Sequence, residues 1–454
     1  MMHTLIVGGG LAGLSAAVAL ARRGIASTIL ESRPRLGGRA SSFTDPASGE
    51  LVDACQHVSM GCCTAFAEFC RTLGIEHLLA PQPTLWFATP DGRESVFRAD
   101  PWPAPFHLGR ALLGAHYLTP VEKLRIAFGV AMLMKERPDA DPPIMPWLLA
   151  HRQTPRTIAR FWGVVLTSAL NESIERVGLK YARKVFRDGF LIDRDGFTVQ
   201  VPTVPLGRFY GEELLSWLAS HNVEVRLNTG VKSWHPHGVT LRDGSNIPAN
   251  ATILAVPFDR LLGLLPSDVA ADPFFARTAK LQPSPITSVH LWFDRKVMKR
   301  PHMVIVDGLC QWLFAREGGY LQVVVSASGS LKALGRDGTV LEILNELRRL
   351  LPGVSTAQLL RSKVVTEHAA TFSAVPGVDD LRPSQRTPIP GLFLAGDWTA
   401  TGWPATMEGA VRSGTFAAEE VSAEVFRRAV LTPAAREMDS EFRLHEHRTG
   451  SPLQ

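Results

Sequence analysis

Thr4-Leu5-Ile6-Val7-Gly8-Gly9-Gly10-Leu11-Ala12-Gly13-Leu14-Ser15-Ala16-Ala17-Val18-Ala19-Leu20-Ala21 decides the fold. These 18 residues carry no charge, and by length and apolarity they resemble a membrane span. The glycines argue for something else. Leu5-Ile6-Val7 reads as a short buried strand, Gly8-x-Gly10-x-x-Gly13 follows it directly, and an apolar helix then runs up to Gly24. In that context Gly8 makes a tight turn, Gly10 lets the backbone approach a pyrophosphate, and Gly13 lets the helix pack closely on the strand. The N–H groups at the helix start, around Leu11 and Ala12, then face the phosphates. A second strand, Ala26 to Leu30, ends on Glu31, 18 residues beyond Gly13, where a carboxylate accepts hydrogen bonds from a ribose and disfavours a 2′-phosphate.

Beyond Glu31 come Ser32 and Arg33, then Leu36-Gly37-Gly38-Arg39. Binding NAD does not require this second glycine pair with its arginine. The run resembles the extended FAD signature of the amine oxidase, protoporphyrinogen oxidase and phytoene desaturase superfamily. Near the other end, Pro390-Gly391-Leu392-Phe393-Leu394-Ala395-Gly396-Asp397-Trp398 is an apolar strand that stops at Gly-Asp. Gly402-Trp403-Pro404-Ala405-Thr406-Met407-Glu408-Gly409-Ala410 follows, with Thr406 placed to cap a helix from Met407 to about Arg427. The resemblance implies that Asp397, after Gly396, holds the ribityl or pyrophosphate part of FAD. It also implies that the helix start at Ala405, Thr406 and Met407 stabilises charge at the flavin N1/O2 edge. A middle piece adds a helix Glu212 to Ser220, strands Val223 to Leu227 and Ala251 to Val256, and Val231 for the adenine. The implied fold is α/β: a Rossmann-type FAD-binding domain from residues 1–80, 195–260 and 386–430.

A chain of 454 residues exceeds what one core holds, roughly 250 to 300 residues, so further lobes are expected. Residues 81–100 and 261–385 read as an inserted antiparallel-sheet substrate domain, with one helix from Val340 to Leu351. Residues 101–194 read as a helical lobe in which Thr119-Pro120-Val121-Glu122 is a capping box opening a helix to Met134. Residues 431–454 read as a flexible tail. The formal charge is only +5, but residues 101–190 hold 13 Lys or Arg against 7 Asp or Glu, an excess larger than that of the whole chain. Basic residues interleaved with Leu108, Leu112, Leu113, Leu124, Phe128 and Met132 suit peripheral contact with an anionic membrane. A lobe packed on itself is the plainer alternative. No aromatic ladder accompanies the charge, so nucleic acid is not expected as a partner. Cys55, Cys62, Cys63 and Cys70 lack CxxC spacing and read as reduced, buried thiols, with no metal. No basic segment precedes the first apolar run, so a cytoplasmic site on the inner membrane face is expected.

Asp53-Ala54-Cys55-Gln56-His57 is similar to the D-x-x-Q-H segment of squalene-associated FAD-dependent desaturases, the hydroxysqualene dehydroxylases. Ser284 to Asp294, Ala370-Thr371-Phe372, and Gly396 to Gly414 resemble them too, so the likeness spans the chain to about residue 425. Ala54-Cys55 departs from the Asn-Gly of many relatives. The resemblance implies a C30 isoprenoid substrate, 12-hydroxysqualene, reduced to squalene by hydride from flavin N5, with His57 as acid, Gln56 positioning it and Asp53 orienting it. Bracing of the flavin ring by Asp53, Gln56 and His57 is the alternative. Two other activities stay open: a carotenoid-type desaturase running the flavin in the opposite direction, and an isoprenoid-escort protein of the GDP-dissociation-inhibitor kind that uses no flavin.

Overall fold

The computed structural model describes residues 3–46, 48–137 and 140–431, so most of the expected tail, residues 432–454, lies outside the described residues. The uncharged opening run becomes strand Thr4–Val7 and helix Leu11–Ala21. Among the described residues, no helix is long and apolar enough to cross a membrane. Thr4–Val7 lies at the centre of a five-stranded parallel sheet, in the order Val223–Arg226, Ser27–Leu30, Thr4–Val7, Ala251–Leu254, Leu392–Leu394. The four inner and C-terminal strands are buried on both faces and need no alternation, whereas the edge strand Val223–Arg226 alternates valine with exposed charged residues.

The helix Leu11–Ala21 is buried nearly all round, because its small side chains let the C-terminal helix Met407–Leu431 lie against it. Ser15 Oγ donates to Val411 O at 2.7 Å across this contact. A Cβ on Gly414 would stand 2.2 Å from Ala12 O. That approach joins the two ends of the chain.

A second, seven-stranded sheet runs Leu359–Phe372, Pro283–Phe293, Tyr320–Ser326, Trp312–Ala315, His302–Ile305, Thr84–Ala88, Glu94–Arg98. It is antiparallel except between Thr84–Ala88 and His302–Ile305, which pair in parallel. Those two strands come from separate insertions, so no hairpin dictates their direction. Side chains alternate across the sheet, as the two-residue period requires. Met303, Ile305, Leu313, Leu321, Val323 and Val325 pack under helix Gly335–Leu350, whereas Val304, Trp312, Phe314 and Val324 face a cavity.

The third layer is helical. Thr119 and Glu122 form the reciprocal capping box, and the helix they open spans Pro120–Lys135. Two π-helical segments, Ile158–Trp162 and Arg187–Leu191, interrupt the lobe where it borders the cavity.

Gly414→Val should leave the fold recognisable but cost about 1–3 kcal/mol by forcing the two helices apart. Urea unfolding of the holoprotein is the check, with the midpoint falling and the slope unchanged.

Candidate active site

One cavity of about 1900 Å³ runs from the glycine-rich turn into the helical lobe. A pocket for one small ligand usually spans roughly 300–1,000 Å³, so this volume has room for a dinucleotide and a second long molecule. Its walls differ in chemistry from end to end.

The first end is built from the chain's two termini. Gly8 adopts φ +113°, and a Cβ there would meet Ala255 O at 2.5 Å; a Cβ on Gly13 would meet Gly8 O at 2.0 Å. The protein's own packing thus demands both glycines, and Gly13 lies behind the cavity wall. Gly10 differs: its Cβ would find only Gly38 Cα, at 3.8 Å. Nothing in the chain forbids a side chain at Gly10, so the demand for glycine comes from whatever occupies the cradle. No side chain caps the helix start at Gly10, and its first turn carries no acid, as an anion site requires. Glu31 is buried with Oε2 accepting from Gly9 N at 2.7 Å and Oε1 from Arg33 N at 2.8 Å. Ser32, Arg33, Gly38 and Val231 complete this wall. The residues fit an adenosine diphosphate group.

Arg39 joins the termini. Its Nη2 donates to Asp397 Oδ1 at 2.6 Å and its Nη1 to Ala370 O at 2.6 Å. Burial opposes the arginine's charge, but the Asp397 carboxylate outweighs it and raises the guanidinium above its ordinary value. Arg382, which sequence reasoning missed, holds the same turn from behind by donating to Asp397 O at 3.1 Å and to Thr399 O at 2.5 Å. Gly409 N donates to Thr406 Oγ1 at 3.1 Å, the expected cap, so the start of the C-terminal helix, with Ala405 and Met407, borders the cavity beside Gly396 and Asp397.

Between the two ends lies the segment Asp53 to His57. Gln56 does hold its neighbour: Nε2 donates to His57 O at 3.0 Å, while Arg316 donates to Oε1. Arg316 lies in the turn just beyond strand Trp312–Ala315 of the seven-stranded sheet, and no local pattern announces it. Asp53 does not orient His57. Its Oδ1 accepts from Ser42 Oγ at 2.6 Å and Leu206 N at 2.7 Å, away from the cavity lining, because a buried carboxylate takes the donors that the paired strand and a neighbouring helix start bring it. His57 Nδ1 instead meets Cys55 O at 3.0 Å. A carbonyl only accepts, so Nδ1 carries the proton and neutral His57 has Nε2 as an acceptor. Burial lowers the imidazole below its ordinary value; Cys55 and Asp53 oppose that shift, and Arg39 adds to it.

The far end is greasy. Val58, Phe87, Phe97, Phe190 and Trp312 pack against a buried cluster of Leu85, Leu108, Phe197 and Val199, and Phe161 and Phe186 stack deeper in the lobe at 5.7 Å.

A parallel sheet with an anion-binding glycine turn, an Arg–Asp clasp and a second helix start on one cavity defines a dinucleotide-dependent oxidoreductase with an apolar substrate chamber. The chain belongs to the flavin-containing amine oxidoreductase family, whose model matches residues 11–422, and its cofactor is FAD. It is 28% identical to a hydroxysqualene dehydroxylase of Sinorhizobium fredii, over 91% of this chain and 97% of that one. It is 26% identical to a 15-cis-phytoene desaturase of Synechococcus elongatus, over 96% and 99%. Among solved structures, an oxidoreductase from Methanosarcina mazei superposes with a TM-score of 0.72 at 16% identity, over 92% of this chain and 100% of that one. Cyclohexylamine oxidase from Brevibacterium oxydans superposes with 0.68 at 17%, over 93% and 99%.

Gly10→Val should fold normally yet lose its flavin, since the new side chain enters only ligand space. Absorbance of the purified protein and its unfolding midpoint together are the check; a yellow variant would remove Gly10 from the site.

Proposed function

We propose that the protein reductively removes the hydroxyl of 12-hydroxysqualene, giving squalene and water. The observation that carries this reading is the Asp53-x-x-Gln56-His57 segment, whose residues Ala54 to His57 line the cavity between the Arg39 end and the aromatic end while Asp53 anchors them from behind, in a chain similar to a hydroxysqualene dehydroxylase. In this reading Gly8, Gly10, Leu11 and Ala12 cradle the pyrophosphate, with Gly13 packed behind them. Glu31 to Arg33 take the ribose and Val231 the adenine. Gly38, Arg39, Gly396 and Asp397 hold the ribityl chain, and Ala405 to Met407 face the ring. Bound and reduced, FAD supplies a hydride equivalent to the carbon that loses its hydroxyl.

The chain's own task is to hold that carbon, exclude water and give a proton to the leaving oxygen. Phe87, Phe97, Phe190 and Trp312 supply the dry wall, and their ring faces favour positive charge on an allylic carbon. His57, fixed through Cys55 O and Gln56, accepts the substrate hydroxyl at Nε2 when neutral and donates from Nε2 when protonated. Asp53 braces the segment from behind.

Anaerobic incubation of photoreduced holoenzyme with hydroxysqualene should give squalene with one flavin oxidised per product. Failure there, with dehydrogenation of phytoene by the oxidised enzyme, would favour a second reading as a desaturase. The similarity to phytoene desaturases and the resting acceptor at Nε2 both support that alternative. The proton-donating form of His57 is lost as pH rises through its pKa, and burial places that pKa below the ordinary histidine value of about 6.5. The single-turnover rate of pre-reduced enzyme should therefore climb as pH falls through that range. His57→Gln should flatten the profile.

Substrate entry is read from the surface. Trp102, Phe106 and Ile192 border the cavity and are also more than half exposed, with Leu113 and Leu124 exposed nearby on the same lobe. The helix Pro120–Lys135 is apolar on two faces: Ile126, Val130 and Met134 turn to core and cavity, Leu124 and Phe128 to solvent. With Arg110 and Lys123 alongside, this mouth suits an anionic bilayer that dissolves a C30 lipid. Phe106→Ser with Leu124→Ser should weaken co-sedimentation with phosphatidylglycerol vesicles by about tenfold or more while leaving flavin content intact.

A further inference from the structure

Reductive turnover needs two electrons each time, and the cavity wall holds a group suited to supply them. We infer that Cys62 and Cys63 form a redox-active vicinal dithiol that passes electrons from an external dithiol to the FAD. Both cysteines border the cavity, five and six residues beyond His57 on the same stretch of wall, and both are free thiols. They are half-buried rather than buried, and they sit between exposed Gly61 and exposed Thr64. The pair thus meets the cavity, which the buried Cys70 and Cys310 do not, and it is flanked by exposed residues, which Cys55 is not. Cys70 and Cys310 are buried and line no part of it; Cys55 lines it from within, held up by burial to about 12.

The local backbone sets the geometry. Cys62 N donates to Gly196 O at 3.1 Å, Cys63 N to Met60 O at 2.8 Å and Thr64 N to Cys62 O at 3.0 Å. The last bond, with Cys63 at φ −83° and ψ 67°, is an inverse γ-turn that opens the helix Thr64–Thr72. At that helix start Glu408 Oε1 accepts from Ala65 N at 3.0 Å and Oε2 from Phe66 N at 2.8 Å, so the first turn of the C-terminal helix is tied directly to the cysteine turn. The hydrogen bond between the two thiols lowers Cys62, against burial and the Glu408 and Asp188 carboxylates, and raises Cys63. Cys62 is thus the thiolate-forming partner and Cys63 the proton donor beside it.

The step balances. Each thiol gives up its proton as a sulfur–sulfur bond forms, and the electron pair with one proton passes to oxidised FAD while the second proton leaves to solvent. Adjacent Cα atoms are about 3.8 Å apart, closer than the roughly 4.4–6.8 Å of an ordinary disulfide, so the bond is strained and is readily reopened by a small or protein-borne dithiol. The positive start of the Met407–Leu431 helix favours the reduced, anionic flavin and draws electrons onward.

The inference rests on the reductive reading above, but its test is scored without substrate. Holoenzyme is mixed anaerobically with dithiothreitol and bleaching of the oxidised flavin band is followed. Wild type should bleach at least about tenfold faster than Cys62→Ser or Cys63→Ser at equal flavin content. Photoreduced variants should still turn over hydroxysqualene, which separates loss of electron supply from loss of the reaction. After dithiol removal and reoxidation of the flavin, iodoacetamide labelling of denatured wild type should find Cys62 and Cys63 protected while Cys55, Cys70 and Cys310 are alkylated. That measurement needs no variant to fold. Variants that bleach as fast as wild type, or a wild type with both thiols alkylated after flavin reoxidation, would overturn the relay. Absence of squalene from photoreduced wild type would instead count against the reductive reading.

Discussion

The structure depends on the close contact of the first helix with the last. Leu11–Ala21 carries only small or aliphatic side chains, and Gly414 lets the backbone of Met407–Leu431 approach Ala12 within the space a methyl group would need. This contact sets both helix starts on one cavity. The Arg39–Asp397 pair clasps the same two ends of the chain again, with the Asp397 carboxylate buried and the Arg39 side chain 28% exposed, so that losing the arginine would strand a buried carboxylate. A nucleotide site assembled from residues so distant in sequence needs this kind of junction, because no local turn can hold the pieces in register.

From that junction the cavity is given two chemistries by the alternation of a single sheet. The seven-stranded sheet sends odd-numbered residues such as Leu321 and Val323 into a sealed core under one helix, and it sends Val324, Trp312 and Phe314 into the chamber. A shift of one residue in register would exchange the faces. The core beneath helix Gly335–Leu350 therefore fixes which side chains a substrate meets, although that core touches no substrate itself. The helical lobe closes the other side with its own aromatic layer, in which Phe161, Phe186 and Phe190 succeed one another beside the π-helical segments.

Much of this was legible in the sequence wherever the cause is local. Gly8 and Gly13 announce themselves because a tight turn and a close helix contact require them, and the Thr119–Glu122 capping box follows from four consecutive residues. Gln56 reaches the backbone carbonyl of His57, a contact that adjacency in the chain makes easy to anticipate. Asp53 was misassigned for the same reason: proximity in sequence suggested a partnership, whereas the strand pairing Ser42 with Asp53 and the helix start at Leu206 claim the carboxylate. Arg316 and Arg382 carried no signal, since each reaches its partner across a lobe boundary or behind a turn, and a lone arginine in a loop has no pattern. The two-faced character of Pro120–Lys135 was hidden too. A helix apolar toward both a core and solvent has no single stripe for periodicity to find.

The orientation of one amide links these remote residues to the chemistry. Gln56 presents its oxygen to Arg316, which can only donate, and so must present its nitrogen to the carbonyl of His57. His57 in turn gives its Nδ1 proton to Cys55 O. Neither choice is free, and together they leave Nε2 as the sole edge of the ring able to exchange a proton with the cavity. Burial and the Arg39 charge keep that edge deprotonated at neutral pH. Under the function proposed above, the histidine holds a hydroxyl group first and protonates it second. In that reading a leaving hydroxide gains its proton only after it is seated, which shortens the exposure of the developing cation in a chamber whose remaining walls offer it aromatic faces.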